Sequence, residues 1–324
     1  MKGKYRIVIA NKKIKYDFEI KRNLTIIKGD SATGKTTLVD LVAEYYENGE
    51  ASGIHVQCDR TCAVLEGRDW KTLLSAFHNS ILFIDEGNSF VRTPDFAAEI
   101  KNTDNYYVIV TREALPVLPY SVTEIYGIRD SGKYGLLKQT YNEMYRIYGD
   151  MNPVKQIHPD IVITEDSGAG FQFFYDVCKN GKTNCLTAAG KSNIFSQVQQ
   201  VSAGTVLVIA DGAAFRPEME KVMSLARIKK ELYLYLPESF EWLILSSGII
   251  KDGELSQILS ATNDYVESKK YTSWEQYFTA VLIEKTKDTY LAYTKRKLNK
   301  AYIDSNVRSL ILAQMKGVCF FMDT

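Results

Sequence analysis

Apolar and polar positions alternate along residues 4–10 and again along 14–20, with Asn11-Lys12-Lys13 between them. That period of two predicts an antiparallel hairpin. Leu24 to Lys28 is a short apolar run entering a glycine-bearing loop, and Thr36 to Tyr46 then carries Leu38, Leu41, Val42 and Tyr45 at helical spacing. Further along come a strand at Ile54–Cys58, a helix from Trp70 to His78 and a very apolar strand at Ile81–Ile84. A helix over Pro94–Lys101 and a strand at Tyr106–Val110 follow. Strands separated by helices predict a mainly parallel sheet covered on both faces. Past Pro116 and Pro119 the pattern turns into a second hairpin, Thr123–Arg129 with Tyr134–Thr140, around Asp130-Ser131-Gly132-Lys133. Asn152-Pro153 and His158-Pro159 read as a linker.

From Asp160 the alternation of elements resumes. Strands are expected at Ile161–Thr164, Asn184–Thr187, Thr205–Ala210 and Glu231–Leu236, with helices at Phe171–Cys178, Ile194–Val201, Pro217–Ala226 and Ser239–Ser246. Beyond residue 251 the chain reads as mostly helical, and Trp274, Tyr277, Phe278, Val281 and Leu282 form an apolar stripe for packing on this second unit. The terminal run Val318 to Met322 reads as docked or at an interface. The expected organisation is an α/β chain with domains at 1–150 and 151–250 and a helical segment at 251–324.

Composition narrows the partners. A formal net charge of +1 gives no global attraction to nucleic acid or anionic membrane. The cluster Lys285, Lys287, Lys295, Arg296, Lys297, Lys300 and Arg308 reads as a solvated helix face. Residues 1–10 carry no apolar leader, and no uncharged span is long enough to cross a bilayer. The 5 cysteines have no Cys/His neighbours at zinc spacing, so free thiols in a cytoplasmic protein are expected. His55, His78 and His158 are too scattered for a triad. The expected partners are another copy or a different protein; membrane is not expected, and nucleic acid is not indicated by charge.

The chemistry sits in three places in the first unit. Gly29-Asp30-Ser31-Ala32-Thr33-Gly34-Lys35-Thr36-Thr37 satisfies G-x-x-x-x-G-K-[ST] between a predicted strand and a predicted helix. The glycines let successive amides face phosphates, and the helix N-terminus favours the anion. Lys35 reaches the β- and γ-phosphates, and the Thr36 hydroxyl ligates magnesium. Ile81-Leu82-Phe83-Ile84-Asp85-Glu86 is a buried strand ending in acids, the Walker B pattern. Asp85 is expected to hold the metal through water and Glu86 to polarise the attacking water. Thr111 and Arg112, at the tip of the next strand, are candidates for sensing the γ-phosphate.

Hairpin, P-loop, Asp-Glu, a strand ending in Thr and a final hairpin through Leu136-Leu137-Lys138 together resemble the ABC-type ATPase head over residues 4–141. The family's Leu-Ser-Gly-Gly signature is absent, with Leu65-Glu66-Gly67-Arg68-Asp69 at about that place, and its switch histidine is replaced by Arg112. The second unit is similar to a Toprim domain. Glu165 stands where the first acid belongs and Asp211 opens the Asp-x-Asp, whose second position is Ala213. Ala188-Ala189-Gly190-Lys191 looks like the middle segment of Toprim units in the overcoming-lysogenization-defect (OLD) nucleases. The whole layout resembles a compact OLD-like ATPase–Toprim protein.

That resemblance implies ATP and Mg²⁺ at the first unit, and Glu165 with Asp211, joined by Asp166 or Glu241, as magnesium ligands at the second. It also implies a setting in phage or mobile-element biology or in anti-phage defence. The expectation is a slow, magnesium-dependent ATPase coupled to a degenerate Toprim-like domain. Two rivals are a metal-dependent nuclease and a non-hydrolysing nucleotide-dependent scaffold. ATP is preferred over GTP because no Asn-Lys-x-Asp base-reading motif is present.

Overall fold

The computed structural model describes residues 1–29, 33–132, 139–149, 153, 155–179, 183–213, 215 and 218–321. Asp30, Ser31 and Ala32 of the glycine loop, and Leu136, Leu137 and Lys138, lie outside the described residues. The chain forms two compact units, Met1–Gly149 with Ser260–Ser273, and Asp150–Leu259 with Trp274–Thr324. The segment after residue 251 is thus divided between them.

The first unit opens with β1 (Tyr5–Ala10) and β2 (Ile14–Ile20). Their turn is fixed by Asn11, whose side-chain oxygen accepts from the amides of Lys13 and Ile14 at 2.8 and 3.0 Å. Next come β3 (Leu24–Ile27), α1 (Lys35–Asn48), β4 (His55–Gln57) and β5 (Cys62–Val64). The unit continues with α2 (Trp70–Ala76), β6 (Ile81–Ile84), α3 (Pro94–Glu99), β7 (Tyr106–Val110), β8 (Ile125–Asp130) and β9 (Thr140–Arg146).

These strands form one 9-stranded sheet in the order β4-β1-β2-β9-β8-β3-β7-β6-β5. The block β8-β3-β7-β6-β5 is parallel, whereas β1 runs antiparallel to β2 and β4, and β8 to β9. Successive side chains of the central strands enter opposite cores. Phe83, Val108 and Val110 join Leu38 and Val42 of α1 on one face. Leu82, Ile84, Tyr107 and Ile109 join Trp70 and Phe96 on the other. Burial on both faces is what makes such strands continuously apolar.

Two expectations are corrected here. β5 is a strand that the pattern did not announce, because three residues are too few to show a period. The return strand of the second hairpin is β9, beginning at Thr140 where it was expected to end. It buries only Asn142 among its residues, so it carries little apolar signal. Its position depends instead on pairing with β8 and, in parallel, with β2.

The second unit contains β10 (Ile161–Thr164), α4 (Ala169–Lys179), β11 (Asn184–Thr187), α5 (Ile194–Gln200) and β12 (Val206–Ile209). After these come α6 (Met219–Ile228), β13 (Leu232–Tyr235), α7 (Phe240–Ser246) and α8 (Leu255–Ser260). Its sheet is wholly parallel, in the order β11-β10-β12-β13. α9 (Trp274–Thr286) packs against α7 and buries Tyr277, Phe278 and Leu282. α10 (Ser305–Leu312) follows a long irregular stretch, so the tail is less helical than its composition suggests. Phe320 is buried and stacks on Phe174, its ring centroid 6.1 Å away.

Candidate functional site

β3 lies at the point where the parallel block changes direction: β7, β6 and β5 lie on one side of it and β8 on the other. In open α/β sheets the crevice at the carboxyl ends of the strands at such a point is the usual ligand site. Gly29 leaves β3 with φ 143°, and Gly34 enters α1 with φ 87°, in the left-handed region. A Cβ on Gly34 would lie 2.8 Å from the Tyr16 hydroxyl and 3.3 Å from Asn142 Nδ2, so any side chain there would displace Tyr16 as well as strain the backbone. The Tyr16 hydroxyl also donates to the Gly34 carbonyl at 2.7 Å. Burial pushes the Tyr16 phenol up to about 12, which keeps it protonated and donating.

Lys35 is buried, and its Nζ donates to Thr33 Oγ1 at 2.8 Å. A Cβ on Gly29 would stand 3.8 Å from that Nζ, inside the cradle. Thr36 and Thr37 are exposed on the first turn of α1, which contains no acidic residue. A helix start with no acidic residue in its first turn suits an anion.

The register brings the acids to the same edge. Ile27 pairs with Val110, and Ile84 with Ile109, so Asp85 and Thr111 follow strand ends next to the loop after β3. Asp85 is half-buried, and its Oδ1 accepts from the Glu86 amide at 2.9 Å. Glu86 accepts two hydrogen bonds from Arg112, at 3.0 and 2.9 Å. Thr111 is buried and its hydroxyl is used locally, donating to the Glu113 carbonyl at 3.2 Å and accepting from the Glu113 amide at 3.1 Å. Of the two candidate sensors, Arg112 is the one exposed at this edge.

In the second unit, β10 and β12 are adjacent while β11 and β13 flank them, so the sheet changes direction between those two strands. Glu165 and Asp166 follow β10, and Asp211 follows β12 by one residue. A cavity of about 130 Å³ opens there, lined also by Glu241, Glu275, Tyr293, Lys295 and Phe240. Glu165 Oε2 accepts from the Asp211 amide at 3.1 Å, and Asp211 Oδ1 accepts from the Phe240 amide at 3.2 Å, at the start of α7. Tyr293 donates to Glu241 at 2.8 Å, and Lys295 forms an ion pair with Glu275. The irregular segment after α9 is seated on α4: the Lys295 carbonyl accepts from the Ala169 amide at 3.0 Å, and Gln172 bonds Arg296 and Leu298, each at 3.0 Å.

Burial and the charges of Glu275, Glu241 and Glu165 hold the Asp211 carboxyl well above the usual carboxylate range, against the pull of Lys295. Burial lowers the Lys295 ammonium, but Glu275 and the other acids outweigh it and leave it raised. Among the described residues no group of three or more His, Cys, Asp and Glu side chains is placed to hold a metal ion.

No model of a known protein family and no curated protein matches this chain.

The residues themselves therefore carry the functional reading. Sequence reasoning picked out Gly29, Thr33, Gly34, Lys35, Thr36, Asp85, Glu86 and Arg112, which stand along one edge of the first sheet, and Glu165, Asp211 and Glu241, which line one cavity. It missed Tyr16, Asn142, Glu275 and Tyr293, which arrive from distant segments without a local motif, and it read Lys295 as part of a solvated helix face, whereas Lys295 lies outside any helix, lines the cavity and pairs with Glu275. The basic cluster near the end is largely engaged: Lys285 with Asp252 and Glu254, Lys287 with Glu284, and Arg308 with Asp176. No helix among the described residues is long and apolar enough to cross a membrane.

Proposed function

We propose that this protein binds ATP with magnesium at residues 29–37 and hydrolyses it slowly, with the second unit acting as a degenerate Toprim-like module. The observation carrying this reading is the buried Lys35 at the start of α1, directly after the positive-φ Gly34 and with its Nζ beside Gly29, next to β3 where the sheet changes direction. The donor set fits a nucleotide's phosphates. Lys35 would hold the β- and γ-phosphates, Thr36 and Asp85 would hold the magnesium, and Glu86 would orient water. Magnesium would neutralise charge developing on the phosphates. Preference for ATP over GTP follows from the missing base-reading motif.

The test is calorimetry of wild type and Lys35→Ala with ATP, GTP and magnesium, followed by phosphate release from the same samples. Lys35→Ala is expected to lose nucleotide affinity; equal binding by both proteins would sink the reading. A non-hydrolysing scaffold is the second reading, favoured by the Arg112 ion pair on Glu86. ATP binding without phosphate release, unchanged in Glu86→Gln, would support it.

The nuclease reading fares less well. Glu165 and Asp211 each accept a backbone amide, burial and the neighbouring acids hold the Asp211 carboxyl above the usual range, and the cavity is already lined by Lys295. Two-metal cleavage needs carboxylates that hold ions about 4 Å apart, and the arrangement present does not fit that. Metal-dependent nicking of plasmid DNA, lost in Glu165→Ala but kept in Lys35→Ala, would reverse this judgement.

A further inference from the structure

Glu86 and Arg112 leave neighbouring strands, β6 and β7, at the same edge of the sheet. Arg112 Nε donates to Glu86 Oε2 at 3.0 Å and Nη2 to Oε1 at 2.9 Å, so both carboxylate oxygens are engaged by one edge of the guanidinium. The pair is water-accessible, with the Arg112 side chain 55% exposed and that of Glu86 33%. Exposed ion pairs typically contribute little, with bidentate pairs such as this one at the stronger end, so a more highly charged anion can compete for the guanidinium. The nearby Arg92 is engaged with Glu113 at 2.8 Å, and Lys35 lies inside the loop beside Thr33. Arg112, an exposed cation at this edge, is thus bound to the carboxylate that water activation would use.

We infer that Arg112 is a latch read by the terminal phosphate of a nucleoside triphosphate: without it the guanidinium rests on Glu86, and with it the guanidinium moves to phosphate and leaves Glu86 to accept water. This rests on the ATP reading above and adds the residue that tells triphosphate from diphosphate. A terminal phosphate offers three oxygens, and its charge exceeds that of a carboxylate. The planar fork of Arg can engage two of those oxygens at once, as it engages Glu86, where a Lys offers a single point charge. A diphosphate has no such group, so the latch stays on Glu86. The glutamate oxygens are thereby occupied until the triphosphate is bound.

The experiment titrates ATP and ADP, each with magnesium, into wild type, Lys35→Ala, Arg112→Ala, Arg112→Lys, Glu86→Gln and the Arg112→Ala/Glu86→Gln double variant. Arg112→Ala is expected to lower the ATP-over-ADP preference about fivefold or more, with Arg112→Lys restoring only part of it. Glu86→Gln is expected to tighten ATP binding by removing the competing anion, and most of that gain is expected to vanish when Arg112 is also Ala. An unchanged ATP/ADP ratio in Arg112→Ala, or an equal gain from Glu86→Gln in both backgrounds, overturns the latch while Lys35-dependent binding leaves the ATP reading standing. Binding that is absent from wild type, or indifferent to Lys35, removes both.

Discussion

Gly34 is confined from two sides. Its φ of 87° is disfavoured for any residue with a Cβ, and the space a Cβ would take is within 2.8 Å of the Tyr16 hydroxyl. Gly34→Ala is expected to destabilise the first unit by about 1–3 kcal/mol and to weaken the proposed ATP binding. Adding Tyr16→Phe, which removes the clashing oxygen, should recover part of the stability in urea melts; no recovery would show that backbone strain alone sets the cost. Asp211 makes a different single-residue case. Its folded-state pKa is raised from 3.8, so the folded chain keeps a proton that the unfolded chain has lost. The stability linked to this group is present below 3.8 and falls as pH rises through the folded value. Asp211→Asn retains Oδ1 as the acceptor for Phe240 and is expected to flatten that decline, measured as unfolding free energy across the pH range. A steeper decline would refute the assignment.

The seam between β3 and β8 shows how one element positions another. Arg22 and Glu124 precede these strands and are buried as an ion pair at 3.3 Å, with Arg22 also donating to Thr123 and Glu124 accepting from Tyr126. Removing one partner leaves an uncompensated buried charge, so Glu124→Ala is expected to cost about 3–5 kcal/mol. Replacing both with apolar residues, Arg22→Met with Glu124→Leu, should cost less, as denaturant unfolding would reveal; a double replacement as costly as the single one would mean the pair stabilises in its own right. In the second unit, α7 begins with two caps. Ser239 accepts from the Trp242 amide, and Asp211 reaches the Phe240 amide from another strand. The first is a local signal visible in the sequence, and the second depends on sheet order.

At the scale of the molecule, residues 260–273 belong with the first unit although they follow the second in the chain. The Ser268 amide donates to the Met1 carbonyl at 2.9 Å, that of Gly3 to Asn263 at 2.7 Å, and Asn23 Nδ2 to the Thr272 carbonyl at 3.3 Å. Truncation after residue 259 is therefore expected to loosen β1 and the start of β3, detected as faster hydrogen exchange at residues 3–10; unchanged protection there would argue against the packing. The central strands of both sheets, α1 and the sites at strand ends were legible because their information is local. Ile81–Ile84 and Tyr106–Val110 are apolar throughout, Ser239 precedes a helix, and the glycine loop has fixed spacing. The short β5, the position of β9, the return of residues 260–273 and the Tyr293–Lys295 wall of the acidic cavity had no such signal. Each is selected by contacts between residues far apart in sequence.

The amino-acid sequence by itself determined two alternating α/β units, the glycine-loop motif at residues 29–37 and acids at the strand ends, because spacing and burial period are properties of neighbouring residues. Only the tertiary structure decided what those groups face. It set Tyr16 against Gly34, Arg112 on Glu86, and Lys295 among the acids that follow β10 and β12, because strand order and register bring together side chains whose separation along the chain contains no pattern to read.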